Sequence, residues 1–363
     1  MKILYGVVGE GMGHAIRSSV VLDKLIADGH EVHIVVSGRA HGFLQARFPD
    51  VSRIWGLTMA MEDNEVRNRL TLTQNLKGAL KGFPQNITQY FEVESNFEPD
   101  VVISDFETWS WLFAKRHRLP LICIDNIQIM NRCRHSDPII GVDRSDFKLA
   151  RNIVRAKCPG ASHYLVTTFF YPELRKKRTT LVPPILRDNI LSTPPTDGDH
   201  LLVYQTSETF EKLPRVLKKL DRPVLVYGLR KVEEDVVEGN ITYRPFSEDG
   251  FVQDLASSAG VIASAGFTLL GESLHLGKPY LATPVRKQFE QMLNARYLTQ
   301  LGYGTYDTHL DEVTIRNFID RLPEFSKNLA SYERQDNSKL FQELDTLLDK
   351  AASGILKHRL IKR

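Results

Sequence analysis

Two stretches hold residues whose types and spacing suit a chemical site. In the first, Gly9-Glu10-Gly11-Met12-Gly13-His14 follows a short apolar run, residues 3–8, and opens a helical pattern. His14 falls in the first turn of that helix, where an imidazole can take a proton near neutral pH. Asp105 closes another apolar run, Pro99 to Asp105. If the two side chains meet, Asp105 fixes the tautomer of His14 and stabilises the imidazolium, a base-and-orienter pair without a serine nucleophile. The group deprotonated is then an acceptor hydroxyl. Other readings stand beside this one. His14 can cap its loop and Asp105 the next helix; Glu107 can replace Asp105 as partner or bind the acceptor; Asp105-x-Glu107 can be a metal pair, although no third ligand is in view.

The glycines at Gly11 and Gly13 allow close approach of backbone to a ligand, or only a tight turn. They make a poor dinucleotide fingerprint, because His14 stands where the third glycine belongs. The second strand ends in Ser37-Gly38-Arg39 instead of an acidic residue, which leaves an NADP site with Arg39 open.

The second stretch runs from Gly260 to Asn294. A short strand leads into Ser264-Ala265-Gly266-Phe267-Thr268 and a helix bearing Glu272, which stops at Gly277 ahead of Pro279. A further strand and Thr283-Pro284 follow, and a new helix starts near Phe289. Backbone N–H groups at Gly266, Phe267 and Thr268, with the Ser264 hydroxyl, suit a diphosphate at a helix N-terminus. Glu272 lies at a distance suited to ribose hydroxyls. Glu290 and Gln291 can hydrogen-bond a sugar; Thr206 and Ser207 end a neighbouring strand beside the phosphates; Arg244 and Phe246 can wall a base pocket, with Phe251 either there or in the core. His30, His33, His41, His117 and His275 read as structural or solvent-facing.

The elements that position these residues are strand–helix alternations. The 363 residues favour two domains. Residues 1–183 form the first, with strands at 3–8, 31–36, 99–105 and 121–124, and a last clear strand at 163–168. Residues 60–96 read as a helix beside the site. Val182-Pro-Pro-Ile-Leu-Arg187 begins a linker, 184–199, before a second alternation over 200–335 in which 246–251 reads as loop. The tail from 336 is amphipathic through Leu340, Leu344, Leu347 and Leu348. The fold class is therefore α/β, two Rossmann-like domains with parallel sheets facing a cleft.

A net charge of +3 is too small to argue for nucleic acid. Cys123, Cys133 and Cys158 are odd in number and show no CxxC, so they read as free thiols in a reducing compartment. No signal peptide or membrane-length apolar run is visible, and the expected location is cytoplasmic. Lys77 and Lys81, with the basic tail at Lys357, Lys362 and Arg363, offer peripheral contact with the inner face of a membrane; a solvated helix and a frayed tail are the alternative.

These motifs resemble the GT-B nucleotide-sugar glycosyltransferases of the UDP-glycosyltransferase superfamily, including the lipid II N-acetylglucosaminyltransferases. The resemblance rests on Ser264-Ala-Gly266 through Glu272, Gly277-x-Pro279, Pro284, Glu290-Gln291, Asn294-Ala295 and Gly302-x-Gly304, on Gly11-x-Gly13-His14, and on Pro99 to Asp105. It departs where Ser264 replaces the usual histidine, where Glu290 replaces aspartate, and where no tryptophan stands at the base-stacking position. The resemblance implies an inverting transfer without metal or cofactor, from a UDP- or dTDP-sugar to a hydroxyl on a small hydrophobic or lipid-linked acceptor. It implies the acceptor in residues 1–183, the donor in 200–335, a C-terminal helix packed back on the first domain, and domain closure. A sugar-nucleotide 2-epimerase of the same fold and a non-catalytic nucleotide-sugar-binding subunit are the competing readings.

Overall fold

The computed structural model describes residues 1–9, 11–56, 61–62, 65–66, 68–205 and 213–357. Thr206 and Ser207 lie outside the described residues, as do Lys362, Arg363 and the side chains of Lys77 and Lys81. The chain divides into two compact units: Met1–Ala60, Arg67–Ile185 and Asp336–Arg363 make one, and Met61–Val66 with Leu186–Gln335 the other.

The first unit holds a seven-stranded sheet: β1 (Lys2–Val7), β2 (Glu31–Val36), β3 (Val51–Arg53), β4 (Val101–Asp105), β5 (Leu121–Asp125), β6 (His163–Thr167) and β7 (Thr179–Val182). Their order is β3-β2-β1-β4-β5-β6-β7, and every pairing is parallel. Strands covered on both faces need apolar runs without alternation, and the VVISD of β4 and LICID of β5 are buried at every position. Connecting helices include α1 (Met12–Ala27), α2 (Asn68–Asn96), α3 (Thr108–His117) and α4 (Arg144–Lys157). The helix Ser338–Ala352 packs Leu340, Leu344, Leu347 and Leu348 into the same core as Ile3, Val21, Ile34 and Ile103. Beyond 163–168, the last strand of this half that the sequence shows clearly, the structure adds β7. Its TTLV is too short to stand out in the sequence and is stable only through pairing with β6.

The second unit has β8 (Leu201–Tyr204), β9 (Val224–Tyr227), β10 (Val236–Glu238), β11 (Ile241–Tyr243), β12 (Gly260–Ala263), β13 (Tyr280–Ala282) and β14 (Gly304–Tyr306), in the order β10-β11-β9-β8-β12-β13-β14. Only the edge strand β10 is antiparallel among them. The helices that matter here are α5 (Glu248–Ala256), α6 (Phe267–His275) and α7 (Phe289–Gln300). Residues 246–251 are not all loop: α5 begins at Glu248 because the Ser247 hydroxyl caps it, accepting from Gly250 N–H at 3.3 Å.

Both sheets reverse their strand order at one place, between β1 and β4 and between β8 and β12. The carboxyl ends of strands at such a switch point are where open α/β sheets bind ligands. Val7 pairs with Asp105 at the first, and Tyr204 with Ala263 at the second.

Candidate active site

At the switch point of the first unit, β1 hands the chain to α1 and places His14 in its first turn, while β4 ends on Asp105. The two side chains meet, His14 Nδ1 lying 2.9 Å from Asp105 Oδ1. Asp105 is buried and His14 keeps 16% of its side-chain surface. A third residue completes the cluster. Arg17, one helical turn after His14, donates Nε to Asp105 Oδ2 at 2.8 Å and Nη2 to Oδ1, and reaches Asn126 with Nη1. Ser18 Oγ donates to Asp105 Oδ2 at 3.0 Å. Every acceptor direction of the carboxylate is therefore occupied by a donor from α1.

Burial by itself raises the Asp105 pKa, but Arg17 and His14 more than reverse this and hold the group well below the ordinary carboxylate range. His14 is pushed below the ordinary imidazole value, first by burial and then by Arg17, against the pull of Asp105. Arg17 Nη2 also lies 2.7 Å from His14 Nδ1. Nδ1 can donate to Asp105 only when protonated, and can accept from Arg17 only when bare. The first tautomer leaves Nε2 as the proton acceptor, which is the form a general base needs. Asp125, at the end of the next strand, is buried beside this cluster; burial, with the charge of Asp105 added, pushes its carboxyl up to about 7 against its bond from Gln128 N–H.

Glu107 faces elsewhere. Its two oxygens accept from Trp109 N–H at 2.8 Å and Ser110 N–H at 2.6 Å, so it is the N-cap of α3 and not the partner of His14. The helix it starts packs on β1 at Gly6, where a side chain would collide with Ser110.

In the second unit, β12 runs through Ser264 and Ala265 to Gly266, the N-cap of α6. Gly266 brings no side chain to the N–H groups that helix ends present. Its φ of −65° suits any residue, and a methyl group there would meet nothing nearer than Ser264 Oγ at 3.6 Å. Gly11, the N-cap of α1, is alike: extended, with nothing within 4 Å of the position a side chain would take. Gly9, by contrast, is required by the fold, because a side chain there would strike the Ser37 carbonyl. The protein's own packing thus explains Gly9 but neither Gly11 nor Gly266.

The strand ends of this unit are tied together. Tyr280 Oη donates to the Ser264 carbonyl at 2.7 Å, and Gln205 Nε2 to Thr283 Oγ1 at 2.9 Å. Asn294 Nδ2 lies 3.0 Å from the Ala265 carbonyl and 2.7 Å from Glu290 Oε1, joining the starts of α6 and α7. Gln291 Oε1 accepts from Val285 N–H at 3.0 Å, which turns its carbonyl end to the backbone. Glu272 is buried and held by Arg187, whose Nε and Nη2 reach its two oxygens at 2.8 and 2.9 Å. Burial raises the Glu272 pKa and Arg187 pulls it back only in part.

Arg244 is a clamp. It donates Nε to Asp254 at 2.9 Å and Nη1 to Asp235 at 2.6 Å. Phe246 is 68% exposed and lies against Phe251, which is buried against Tyr204 and Tyr227 and so belongs to the core. Sequence reasoning missed Arg17, Asn126 and Arg187 as site residues, and took Asn294 only as part of the motif that carries the resemblance. Arg17 alone left a signal, an arginine three residues after His14 amid the buried Ala15, Val21 and Leu22 of α1.

Comparison with known proteins gives one consistent picture. The family described as Glycosyl transferase family 1 matches residues 1–323. An uncharacterized glycosyltransferase of Methanosarcina mazei is 24% identical over 336 residues, covering 85% of this chain and 87% of its own. Another, of Methanosarcina acetivorans, is 25% identical over 340 residues, covering 85% and 84%. Among solved structures, the calicheamicin glycosyltransferase CalG4 superposes with a TM-score of 0.65 at 16% identity, over 97% of this chain and 99% of that one. Acinetobacter baumannii MurG does so with a TM-score of 0.59 at 16% identity, over 96% and 100%.

Proposed function

The chain belongs to glycosyl transferase family 1 and is a glycosyltransferase with the GT-B fold of the UDP-glycosyltransferase superfamily; from that premise we propose that it transfers a sugar from a UDP- or dTDP-sugar to an acceptor hydroxyl with inversion and without a metal, using His14 as general base. The observation that carries this reading is the 2.9 Å contact between His14 and Asp105 at the switch point of the first sheet. Nε2 takes the acceptor proton as the hydroxyl oxygen forms its bond to the anomeric carbon, and the sugar–phosphate bond breaks. Negative charge then grows on the departing diphosphate. We assign its stabilisation to the N-terminus of α6 at Gly266, Phe267 and Thr268, with Ser264, since preoriented N–H groups and the helix dipole act where charge develops. Gly266 supports this assignment, because a glycine the fold does not need is explained by close approach of a ligand. Glu290 and Gln291 are assigned to the sugar.

The acceptor is assigned to the first unit as a hydroxyl on a small hydrophobic or lipid-linked molecule. Phe83, Ile87 and Phe91 stay exposed at a spacing of four along α2, an apolar stripe suited to such a partner. No described helix is long and apolar enough to cross a membrane. Thermal shift with a panel of UDP- and dTDP-sugars tests the donor half: a donor at ~100 times its Kd stabilises by about 2.7 kcal/mol. If no nucleotide sugar raises Tm, the donor assignment fails. If a sugar is epimerised with no acceptor present, the transfer reading fails.

A further inference from the structure

The last residue of α4, Lys157, is half-buried and lays its ammonium over the ring of Phe106, 4.2 Å from the centroid. The chain after it is stitched to the same region. Cys158 Sγ donates to the Glu107 carbonyl at 3.5 Å, Trp111 Nε1 to the Pro159 carbonyl at 2.9 Å and Lys115 Nζ to the Gly160 carbonyl at 2.8 Å. Phe106 directly follows Asp105 and takes a φ of 55°, in the left-handed region that a bulky side chain seldom enters. Three successive residues of that turn thus face three ways. Asp105 meets His14, Phe106 is buried under Lys157, and Glu107 caps α3.

Among the described residues no carboxylate pairs with Lys157. The carboxylates nearby are spent, Asp105 on His14, Arg17 and Ser18, and Glu107 on the N–H groups of Trp109 and Ser110. The charge of Lys157 is nevertheless felt at both. Behind burial and Arg17, it helps to hold His14 below the ordinary imidazole value. Burial raises the Glu107 carboxyl, and Lys157 joins the Ser110 and Trp109 N–H groups in pulling against that rise. A cation in the last turn of a helix suits the dipole, which accounts for Arg155 and Lys157 alike. It does not account for folding Lys157 onto a ring beside the base, where its charge weakens that base. A phenyl face attracts an ammonium without neutralising it. The ammonium has three N–H donors, and those turned away from the ring suit an oxyanion.

We propose that Lys157 is an acceptor-binding residue, which holds a compact oxyanion, phosphate or carboxylate, carried by the acceptor close to the hydroxyl presented to His14. The word acceptor rests on the transfer reading; the anion site does not. A compact oxyanion matches the point charge of an ammonium, where a bidentate site would use arginine. The pairing also acts on the base. A bound anion offsets the charge of Lys157, so His14 gains basicity when the acceptor arrives. A neutral acceptor leaves that charge in place and the imidazole a weaker base.

The test is an NMR titration of the His14 ring in the full chain, its signal identified by its loss in His14→Gln. Methyl phosphate and acetate are added in separate series at constant ionic strength. The anion that fits should raise the His14 midpoint, because added negative charge favours the imidazolium, and the tighter of the two names the group. Lys157→Met should weaken that response by about tenfold or more, and Lys157→Arg should keep most of it. With no anion added, Lys157→Met should itself raise the midpoint, since it removes a positive charge. An unchanged Tm shows that each variant is folded. With an acceptor that the wild type uses, esterifying its anionic group should raise KM by about tenfold in the wild type and leave KM of Lys157→Met unchanged. No response of His14 to either anion, an equal response in Lys157→Met, or an uncharged acceptor used equally by the wild type and Lys157→Met each overturns the proposal. The transfer reading survives all three.

Discussion

Arg187 and Glu272 form a two-point ion pair, 2.8 and 2.9 Å, with side chains only 11% and 3% exposed. It fastens the segment that follows Ile185 to the middle of α6. The carboxylate assigned to ribose hydroxyls is thus also a structural anchor, and the two roles separate by experiment. Glu272→Ala leaves a buried guanidinium with only Glu248 for a partner, and should destabilise by about 3 kcal/mol. The paired change Arg187→Met with Glu272→Leu should recover most of that stability. If Glu272 also reads the ribose, the paired variant folds yet binds donor about 10- to 100-fold more weakly, the range for a hydrogen bond to a charged group. Wild-type donor affinity in the paired variant leaves Glu272 as an anchor alone.

Gly266→Ala separates ligand from fold more sharply. The backbone there suits alanine and the added methyl meets no close neighbour. Stability should be unchanged or raised by about 0.5 kcal/mol, through the unfolded chain. Donor binding should nevertheless fall steeply, because the methyl occupies the approach to the α6 N–H groups. Calorimetric titration with the best donor from the thermal-shift panel, beside a thermal melt, reads both; retained affinity would remove the diphosphate from this helix end.

Glu107→Ala checks the corrected assignment of a residue that sequence alone made a candidate for catalysis. Loss of the cap on α3 should cost about 1–2 kcal/mol. The rate per folded molecule should stay near wild type, measured well below the lowered Tm. A rate loss without a stability loss would return Glu107 to the acceptor site.

The pH profile depends on Arg17. His14 is held below its ordinary value, so the active, neutral imidazole persists to lower pH, and the acid limb of kcat/KM should have its midpoint below about 6.5. Arg17→Gln removes a positive charge beside His14, which raises its pKa and moves that limb toward neutral pH. Arg17→Lys should restore part of the shift. Stability changes with the same groups. Asp105 has a lowered folded pKa, so its contribution is present above about 3.9 and fades as pH falls below that value. His14, with a lowered folded pKa, costs stability once pH drops below about 6.5, where the unfolded chain takes the proton. An acid limb that stays in place in Arg17→Gln would detach Arg17 from the base.

Most strands of the first unit were legible because parallel strands covered on both faces write themselves as apolar runs: residues 31–36 match β2 to the residue. β7 and β10 were not, since TTLV and VVE have too few residues to make a pattern and exist by pairing. The meeting of His14 and Asp105 could be inferred from two strand ends at one edge. The competition of Arg17 for the same carboxylate could not, because spacing along a helix gives the face of a residue but not the reach of its guanidinium. Arg187 with Glu272 and Asn294 with Ala265 are contacts between residues 85 and 29 positions apart, and only the folded chain brings them together.

The central claim is that His14 removes the acceptor proton. The most direct measurement is kcat and donor Kd for His14→Ala, with the donor identified by thermal shift and an acceptor that the wild type uses. Loss of a positioned base should lower kcat by about 10²- to 10⁴-fold, with donor affinity and Tm near wild type. Turnover at the wild-type rate would contradict the account.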